Sequence, residues 1–600
     1  MIEIRSPLQG TVVRVAAVGE GLVAGGDVVV LESMKMEHAV GATDGGVVAA
    51  VHVAVGDAVK AGDLLAVLDP ARATSTDGGP AEASPSGPTG ERSDLAEVRT
   101  RHAVGLDDAR PEAVARRRTT GHRTARENVD DLLDPGSLLE YGPVVIAAQR
   151  RRRALDDLIA NTPADGLVGG VGTVAGHPTV VLSYDYTVLA GTQGLQNHRK
   201  KDRLFEVAER RQLPVVFFTE GGGGRPGDTD GTGVSGLDCM AFHLFGRLSG
   251  LVPLVGITSG RCFAGNAAIL GCCDVVIATA DSNIGMGGPA MVEGGGLGVH
   301  APEAIGPMAV QVANGVVDVA VADEAEAVDV ARRYLSYFQG PLDTWEAPAD
   351  EVVRSVIPEN RLRVYDVRTA VHAIADLGSV LELRAGFGLG MVTALVRVEG
   401  RPMGVVANNP THLAGAIDAD GADKAARFLQ LCDAFDLPVL FLCDTPGIMV
   451  GPEAEATALV RHASRLFVTG ANLTVPTGTI ILRKGYGLGA QAMAGGSFKA
   501  PLFCVAWPTG ELGGMGLEGA VRLGYRKELA AIDDPQERQR TFEEMVDRMY
   551  EHGKALNAAS HFEIDDVIDP ADSRRWITTA FGSVPPPRRE GKKRPNIDTW

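Results

Sequence analysis

The sequence predicts a multidomain chain, a small N-terminal β-domain followed by two homologous α/β domains, and three observations carry this reading. Residues 1–70 alternate short Val/Ala/Leu runs with Gly-Glu, Gly-Asp and Asp-Gly turns, the pattern of many short strands. Residues 71–93 hold no Val, Ile, Leu, Met or aromatic residue and cannot enter a core. Beyond them the chain repeats itself: a shift of 224 positions aligns Gly176 to Gly227 with Gly400 to Gly451 without a gap, and 15 of the 52 pairs are identical. Two homologous α/β domains are the simplest source of such a match.

Composition narrows the classes. The 600 residues are 45% hydrophobic and 22% charged, within the range of folded, water-soluble proteins. With 57 basic and 76 acidic residues the net charge is -19, which repels phosphate backbones and anionic membranes and makes nucleic acid an unexpected partner. The seven cysteines show no CxxC spacing, so neither a disulfide framework nor a zinc ribbon is expected, and a reducing cytosol fits best. A basic leader with an apolar stretch is not apparent, nor is a run of about 18 uncharged apolar residues. The expectation is a cytoplasmic protein with no export signal, membrane anchor or metal.

The first domain is itself duplicated. Val18-Gly19-Glu20 and Gly26-Asp27-Val28 are answered by Val55-Gly56-Asp57 and Gly62-Asp63-Leu64. The central turn is expected near Glu32 to His38, between the run Val28 to Leu31 and the strand-like stretch after Gly45. That turn displays Lys35 between Met34 and Met36. A Met-Lys-Met tripeptide alone reads as an ordinary exposed lysine above two packed methionines. At the symmetry centre of a duplicated domain, followed by the low-complexity segment 71–93, it suits a swinging carrier arm. A flexible chain of that length averages roughly 25 Å from end to end.

Each large domain contains a glycine-rich strand-to-helix turn. The run Val252 to Ile257 leads into Ser259-Gly260-Arg261-Cys262-Phe263-Ala264-Gly265-Asn266, and Thr479 to Leu482 leads into Arg483-Lys484-Gly485-Tyr486-Gly487-Leu488-Gly489-Ala490. Gly265 and Gly489 keep the 224 spacing. Such turns leave backbone N–H groups unpaired at the positive end of a helix and can hold an oxyanion. The plain structural alternative is glycine used only for close helix–strand packing, and recurrence in both repeats favours the chemical reading. Glu220 to Gly227 ends a strand in a glycine run, but without the Lys-Ser/Thr of a phosphate loop. Arg116 to Arg118 and Arg150 to Arg153 are equally suited to the phosphates of a nucleotide-bearing substrate or to a solvated helix face. Lys200 and Lys424, repeated in both domains, fit phosphate binding or helix capping equally well. His198, His243 and His412 form no metal-ligand spacing. The tail from Pro585 reads as a surface extension or docking strap.

On these residues, 1–70 resembles the biotin carboxyl carrier domain, whose biotinylated lysine lies between two methionines; the related lipoyl domain usually has Asp-Lys-Ala there. The resemblance implies a flattened β-barrel of the biotinyl/lipoyl type with biotin covalently on Lys35, flanked by Met34 and Met36. From 94 to about 575 the chain resembles the carboxyltransferase subunits of acyl-CoA carboxylases. Thr124-Ala125-Arg126-Glu127, Gly136-Ser137, Arg401-Pro402, Val405 to Pro410, Lys424 to Phe428, Asp444 to Gly447 and Trp507-Pro508-Thr509 carry that match. This implies two tandem crotonase-like (ClpP/crotonase) α/β domains, at 94–345 and 346–585, with a tail at 586–600.

The resemblance also implies a mechanism. Moving the carboxyl group from carboxybiotin on Lys35 to the α-carbon of an acyl-CoA creates an enolate and a negatively charged ureido oxygen. The amides of Gly265 and Asn266 would hold the first, those of Leu488 and Gly489 the second. Gly222 and Gly223 would line the thioester pocket. Asn266 and Leu488 stand where glycine is usual. Gln491 stands where related enzymes carry Asp or an apolar residue linked to acyl-chain choice. The implied partners are a separate biotin carboxylase subunit, a biotin protein ligase and further copies of the chain in a homohexamer. The rival readings are a biotin-dependent decarboxylase component, a crotonase-type hydratase or isomerase for which Glu220 is the only acid–base candidate in the glycine loop, and a non-catalytic scaffold.

Overall fold

The computed structural model describes residues 1–72, 91–231, 233–582, 584, 592, 594 and 596–600. Most of the segment expected to act as a tether, residues 73–90, lies outside them. The chain divides into two compact units, Met1–Ser93 and Asp94–Trp600.

The first unit consists of two four-stranded antiparallel sheets. One orders Ile2–Arg5, Leu64–Asp69, Gly46–Val51 and Gly21–Leu22; the other orders Met36–Gly41, Asp27–Ser33, Gly10–Val15 and Ala58–Val59. Their core contains Val12, Leu31, Val48, Leu65 and Leu68, all buried. The duplication is visible in the turns. Glu20 Oε2 accepts from Ala17 N at 2.8 Å and Asp57 Oδ2 accepts from Ala54 N at 2.8 Å, while Gly19 and Gly56 follow the same backbone with φ 93° and 96°.

The second unit contains two mixed sheets that share the repeat. The first orders Val319–Val321, Val275–Thr279, Leu254–Thr258, Val215–Phe218, His177–Tyr184, Leu167–Val174 and Leu139–Glu140. The second orders Leu381–Leu383, Met391–Val398, Arg401–Asn408, Val439–Thr445, Thr477–Tyr486, Phe503–Ala506 and Asp566–Val567, with Glu511–Gly513 paired to Thr477–Tyr486. Their central strands are parallel and nearly continuous runs of Val, Ile, Leu and Phe, buried on both faces as helix-covered parallel sheets require. The 224-residue offset holds at both ends of Leu167–Val174 and Met391–Val398, and of His177–Tyr184 and Arg401–Asn408. It extends to unusual backbone: Ala190 and Ala414 both have positive φ, at 54° and 53°.

The two repeats bury one apolar core between them, running from Val129 and Val181 through Tyr334 to Phe428, Phe441 and Ile597. Ahead of the first sheet, the helix Ala125–Leu132 begins in a capping box. Thr124 Oγ1 accepts from Glu127 N at 3.1 Å and Thr124 N donates to Glu127 Oε2 at 2.8 Å. The resemblance motif Thr124 to Glu127 is therefore a helix start.

The C-terminal residues form a strap. Ile597 is buried in the shared core; its N–H donates to Ser249 Oγ at 3.0 Å, and Asp598 accepts from Gln430 and Arg465. It crosses from the first repeat to the second.

Candidate functional site

In the carrier unit, Asp27–Ser33 and Met36–Gly41 pair antiparallel with Ser33 opposite Met36. Only Met34 and Lys35 remain for the turn, with φ of 52° and 66°. Positive φ at both central residues defines the tight hairpin turn that matches strand twist. The turn is shorter than the sequence suggests, because Met36–Gly41 is an edge strand whose polar Glu37 and His38 face solvent. Lys35 is exposed. The methionines do not pack beneath it: Met34 is 94% and Met36 65% exposed. A two-residue tip that projects a lysine and two apolar side chains fits covalent attachment of biotin through the Lys35 amine.

In the first repeat, Leu254–Thr258 passes through Arg261–Phe263 to Ala264, whose φ of 51° reverses the chain into the helix Gly265–Gly271. Ala264 N donates to Gly285 O and Ala268 N to Ala264 O, whereas the amides of Gly265 and Asn266 have no acceptor among the described residues. Gly223 packs against this turn, since a Cβ there would lie 2.7 Å from that of Ala264. Gly222 N donates to Ala190 O at 3.1 Å. Gly222, Gly223, Gly265 and Asn266 are thus brought together. Asn266 itself is fully buried.

In the second repeat, Thr477–Tyr486 turns at Gly487, φ 56°, into the helix Gly487–Ala492. The amides of Leu488 and Gly489 likewise have no acceptor among the described residues. Gly489 packs so closely on Gly447 that a Cβ would lie 2.6 Å from its carbonyl carbon. Leu488 is exposed and, with Gln491, lines a cavity of about 1160 Å³ walled by Leu512, Met515, Leu517 and Met549. At Gly222's position this repeat has Pro446, which lacks an N–H, and Lys484 Nζ replaces it by donating to Ala414 O at 2.6 Å.

Several charged residues have structural partners instead of a ligand. Lys200 is buried, with its Nζ on the carbonyls of Ala164 and Leu167. At the equivalent place Lys424 Nζ donates to Phe387 O at 2.9 Å. Burial lowers the two amines to about 8 and about 7. Lys200 therefore pins the loop that leads into its sheet and does not reach a phosphate, a correction that both repeats support. Arg117 is bound bidentately to Glu220, with Nη1 2.9 Å from Oε1, Arg118 to Glu127 and Arg153 to Asp157. Burial raises the Glu220 carboxyl while Arg117 opposes the rise. With Arg117 across both oxygens, Glu220 is not placed as a hydratase acid–base group.

Two buried polar clusters lie outside the sequence reading. His122 Nδ1 is 3.0 Å from Glu324 Oε1 and 2.8 Å from Ser259 Oγ. Burial opposes ionisation of Glu324, but the His122 and Ser259 hydrogen bonds hold it down at about 2. Ser259 Oγ also donates to Glu324 Oε1 at 2.8 Å, and His122 Nε2 lies 3.1 Å from Asp281 Oδ2, so the imidazole joins two carboxylates and a buried serine hydroxyl that is itself held by Glu324. In the second cluster, Lys201 Nζ donates to Gln193 Oε1 at 2.7 Å, and Gln193 Nε2 to Asn266 Oδ1 at 3.0 Å. The available signal was the repeat: Lys201, Gln193 and Asn266 become Ala425, Ile417 and Ala490 after 224 positions. Among the described residues no cluster of His, Cys, Asp or Glu is arranged to hold a metal, and no helix is long and apolar enough to cross a membrane.

Known proteins share both units. The carboxyl transferase domain family matches residues 116–588, and the biotin-requiring enzyme family matches residues 2–68. The methylmalonyl-CoA carboxyltransferase 12S subunit of Propionibacterium freudenreichii subsp. shermanii is 34% identical over 78% of this chain and 90% of its own. The biotin-dependent long chain acyl-coenzyme A carboxylase beta4 subunit of Mycobacterium tuberculosis is 33% identical over 80% and 92%. A solved single-chain, multi-domain long-chain acyl-CoA carboxylase is similar with a TM-score of 0.79 and 59% identity, covering 96% of this chain; this chain spans 56% of that one. The transcarboxylase 12S hexamer structure with methylmalonyl-CoA bound follows at TM-score 0.72 and 30% identity, covering 85% of this chain and 99% of its own. With its duplicated crotonase-like sheets and its biotinyl-type first unit, the chain belongs to the carboxyl transferase family, as the carboxyltransferase of biotin-dependent acyl-CoA carboxylases with a biotin carrier domain fused to it.

Proposed function

We propose that this chain transfers a carboxyl group from biotin on its own Lys35 to the α-carbon of a long-chain acyl-CoA. The observation that carries it is the pair of amide turns 224 residues apart, Gly265-Asn266 and Leu488-Gly489, without acceptors among the described residues, in a chain that also projects Lys35 from a two-residue turn. Biotin supplies the carboxyl group and, once relieved of it, a nitrogen basic enough to take the α-proton. The chain's own task is charge stabilisation. Amides of Gly265 and Asn266 donate to the thioester enolate, and those of Leu488 and Gly489 to the ureido oxygen, each lost donor costing about 3 kcal/mol of barrier. Gly222 and Gly223 shape the thioester side.

The long-chain reading is supported by the relatives of that specificity and by the apolar wall of the cavity beside Gln491. A separate biotin carboxylase subunit loads the carrier, a biotin protein ligase modifies Lys35, and the transferase assembles as a homohexamer in the cytoplasm. The seven free cysteines suit that reducing compartment. The experiment supplies biotin carboxylase, ATP and labelled bicarbonate with acyl-CoAs of graded length. Label is expected in long-chain products, none with Lys35→Arg, and a shifted length preference with Gln491→Asp. Native protein that binds no avidin, or label transfer undiminished by Lys35→Arg, overturns the proposal.

A further inference from the structure

We propose that Lys201 and Gln193 are positioning residues for the acyl-CoA half of the reaction: they lock Asn266, and with it the Gly265–Asn266 amide pair, in the orientation that receives the enolate. The inference rests on the reading of that turn given above. Neighbouring lysines on the helix Leu195–Arg211 point about 100° apart. Lys200 turns to the loop carbonyls, and Lys201 turns inward to Gln193 Oε1 at 2.7 Å and Tyr184 OH at 3.0 Å.

From Gln193 the chain of hydrogen bonds continues into Asn266, whose Oδ1 also accepts from Gly223 N at 3.2 Å. Asn266 Nδ2 donates to Gly191 O at 3.3 Å and Thr219 O at 3.2 Å. One carboxamide therefore ties together the Leu189–Gly191 turn, the end of the strand Val215–Phe218 and the glycine loop. Gln193 is also the floor under Gly265, where a Cβ would lie 3.0 Å from its Nε2. All donors run one way, from ammonium to carboxamide to carboxamide to carbonyl. Such a chain is polarised along its length and keeps positive charge behind the amides that face the oxygen on which negative charge develops.

The fold does not require this device. In the second repeat the same three positions are Ala425, Ile417 and Ala490, and the turn is held instead by Gly489 on Gly447. The polar network therefore serves only the half assigned to the enolate. Asp165, itself paired with Arg225, Asp202, the Cys239 thiol and His198 surround Lys201. Burial lowers the Lys201 amine to about 7, while the carboxylates of Asp202 and Asp165 oppose the fall.

The test uses the full-length biotinylated chain with its carboxylase partner. Two rates are read: label transfer to acyl-CoA, and loss of label from the loaded carrier without acyl-CoA. In Lys201→Met the transfer kcat is expected to fall by about 30-fold or more, with KM within about threefold, while label loss is unchanged and Lys201→Arg recovers part of the rate. Asn266→Gly cuts the same connection, so adding Lys201→Met to it should lower kcat no further. Additive losses, equal falls in both rates, or a rise in KM at constant kcat overturn the inference. If Lys201→Met does not fold, Gln193→Leu replaces it with the same expected outcomes. A wild-type-like variant overturns this inference alone, whereas wild-type protein that labels no acyl-CoA overturns the underlying reading and this inference with it.

Discussion

Gly223 and Gly224 adjoin each other in one loop yet tolerate change very differently. Gly223 has φ 88° and a Cβ there would meet that of Ala264 at 2.7 Å; around Gly224 the space is open. Gly223→Ala should therefore push the first amide turn out of place and cost carboxyl transfer about a hundredfold. Gly224→Ala is expected to stay within about twofold. The check is the labelled-bicarbonate assay on both variants, with equal losses refuting the argument. At Lys35 the signal is local: residue types around a hairpin tip display a lysine whatever the rest of the fold does. At Gly265 and Gly489 the glycine pattern was legible, but the crowding by Ala264 and Gly447 was not, since those contacts come from elsewhere in the fold.

On the scale of elements, each repeat pins the loop ahead of its long hairpin with one buried lysine, Lys200 or Lys424. Their amines are lowered from 10.5 to about 8 and about 7 by burial. The folded chain thus binds these protons more weakly than the unfolded chain. The cost of burying the charges is fully present below about pH 7 and is relieved as pH rises through 7–8 toward 10.5, so their contribution to stability grows with pH across that window. Lys424→Met should lose part of this slope in calorimetric melts between pH 7 and 9. It should also lose about 1–3 kcal/mol from the unpaired Phe387 carbonyl. An unchanged slope would mean that Lys424 is not neutralised by folding. The 224 spacing identified these lysines as equivalent, while phosphate or carbonyl as their partner was decided by the direction in which each helix face packs.

For the whole molecule, the strap at 596–600 joins the repeats, through Ser249 on one side and Gln430, Arg465 and Phe387 on the other. Ile597 is buried in the shared core, so Ile597→Ala should destabilise the transferase unit by about 2–4 kcal/mol. Chemical denaturation followed by tryptophan fluorescence measures this. Biotinylation of Lys35 should be unaffected, because the carrier is a separate compact unit with its own core. Loss of avidin binding in that variant would contradict the independence of the two units.

What the sequence determined by itself was whatever is written in short windows or in self-similarity: the exposed Lys35 in its turn, the alternation of strands, and a duplication that puts Gly265 and Gly489 in equivalent places. Only the tertiary structure decided which charges are spent. Arg117 meets Glu220 across 103 residues and His122 meets Glu324 across 202. Partners so far apart leave no periodicity, and the cost of burying a charge depends on the packing around it. The same reason hid Lys201, one residue from a lysine the repeat had marked, whose neighbours exist only once the helix, the strand ends and the glycine loop have come together.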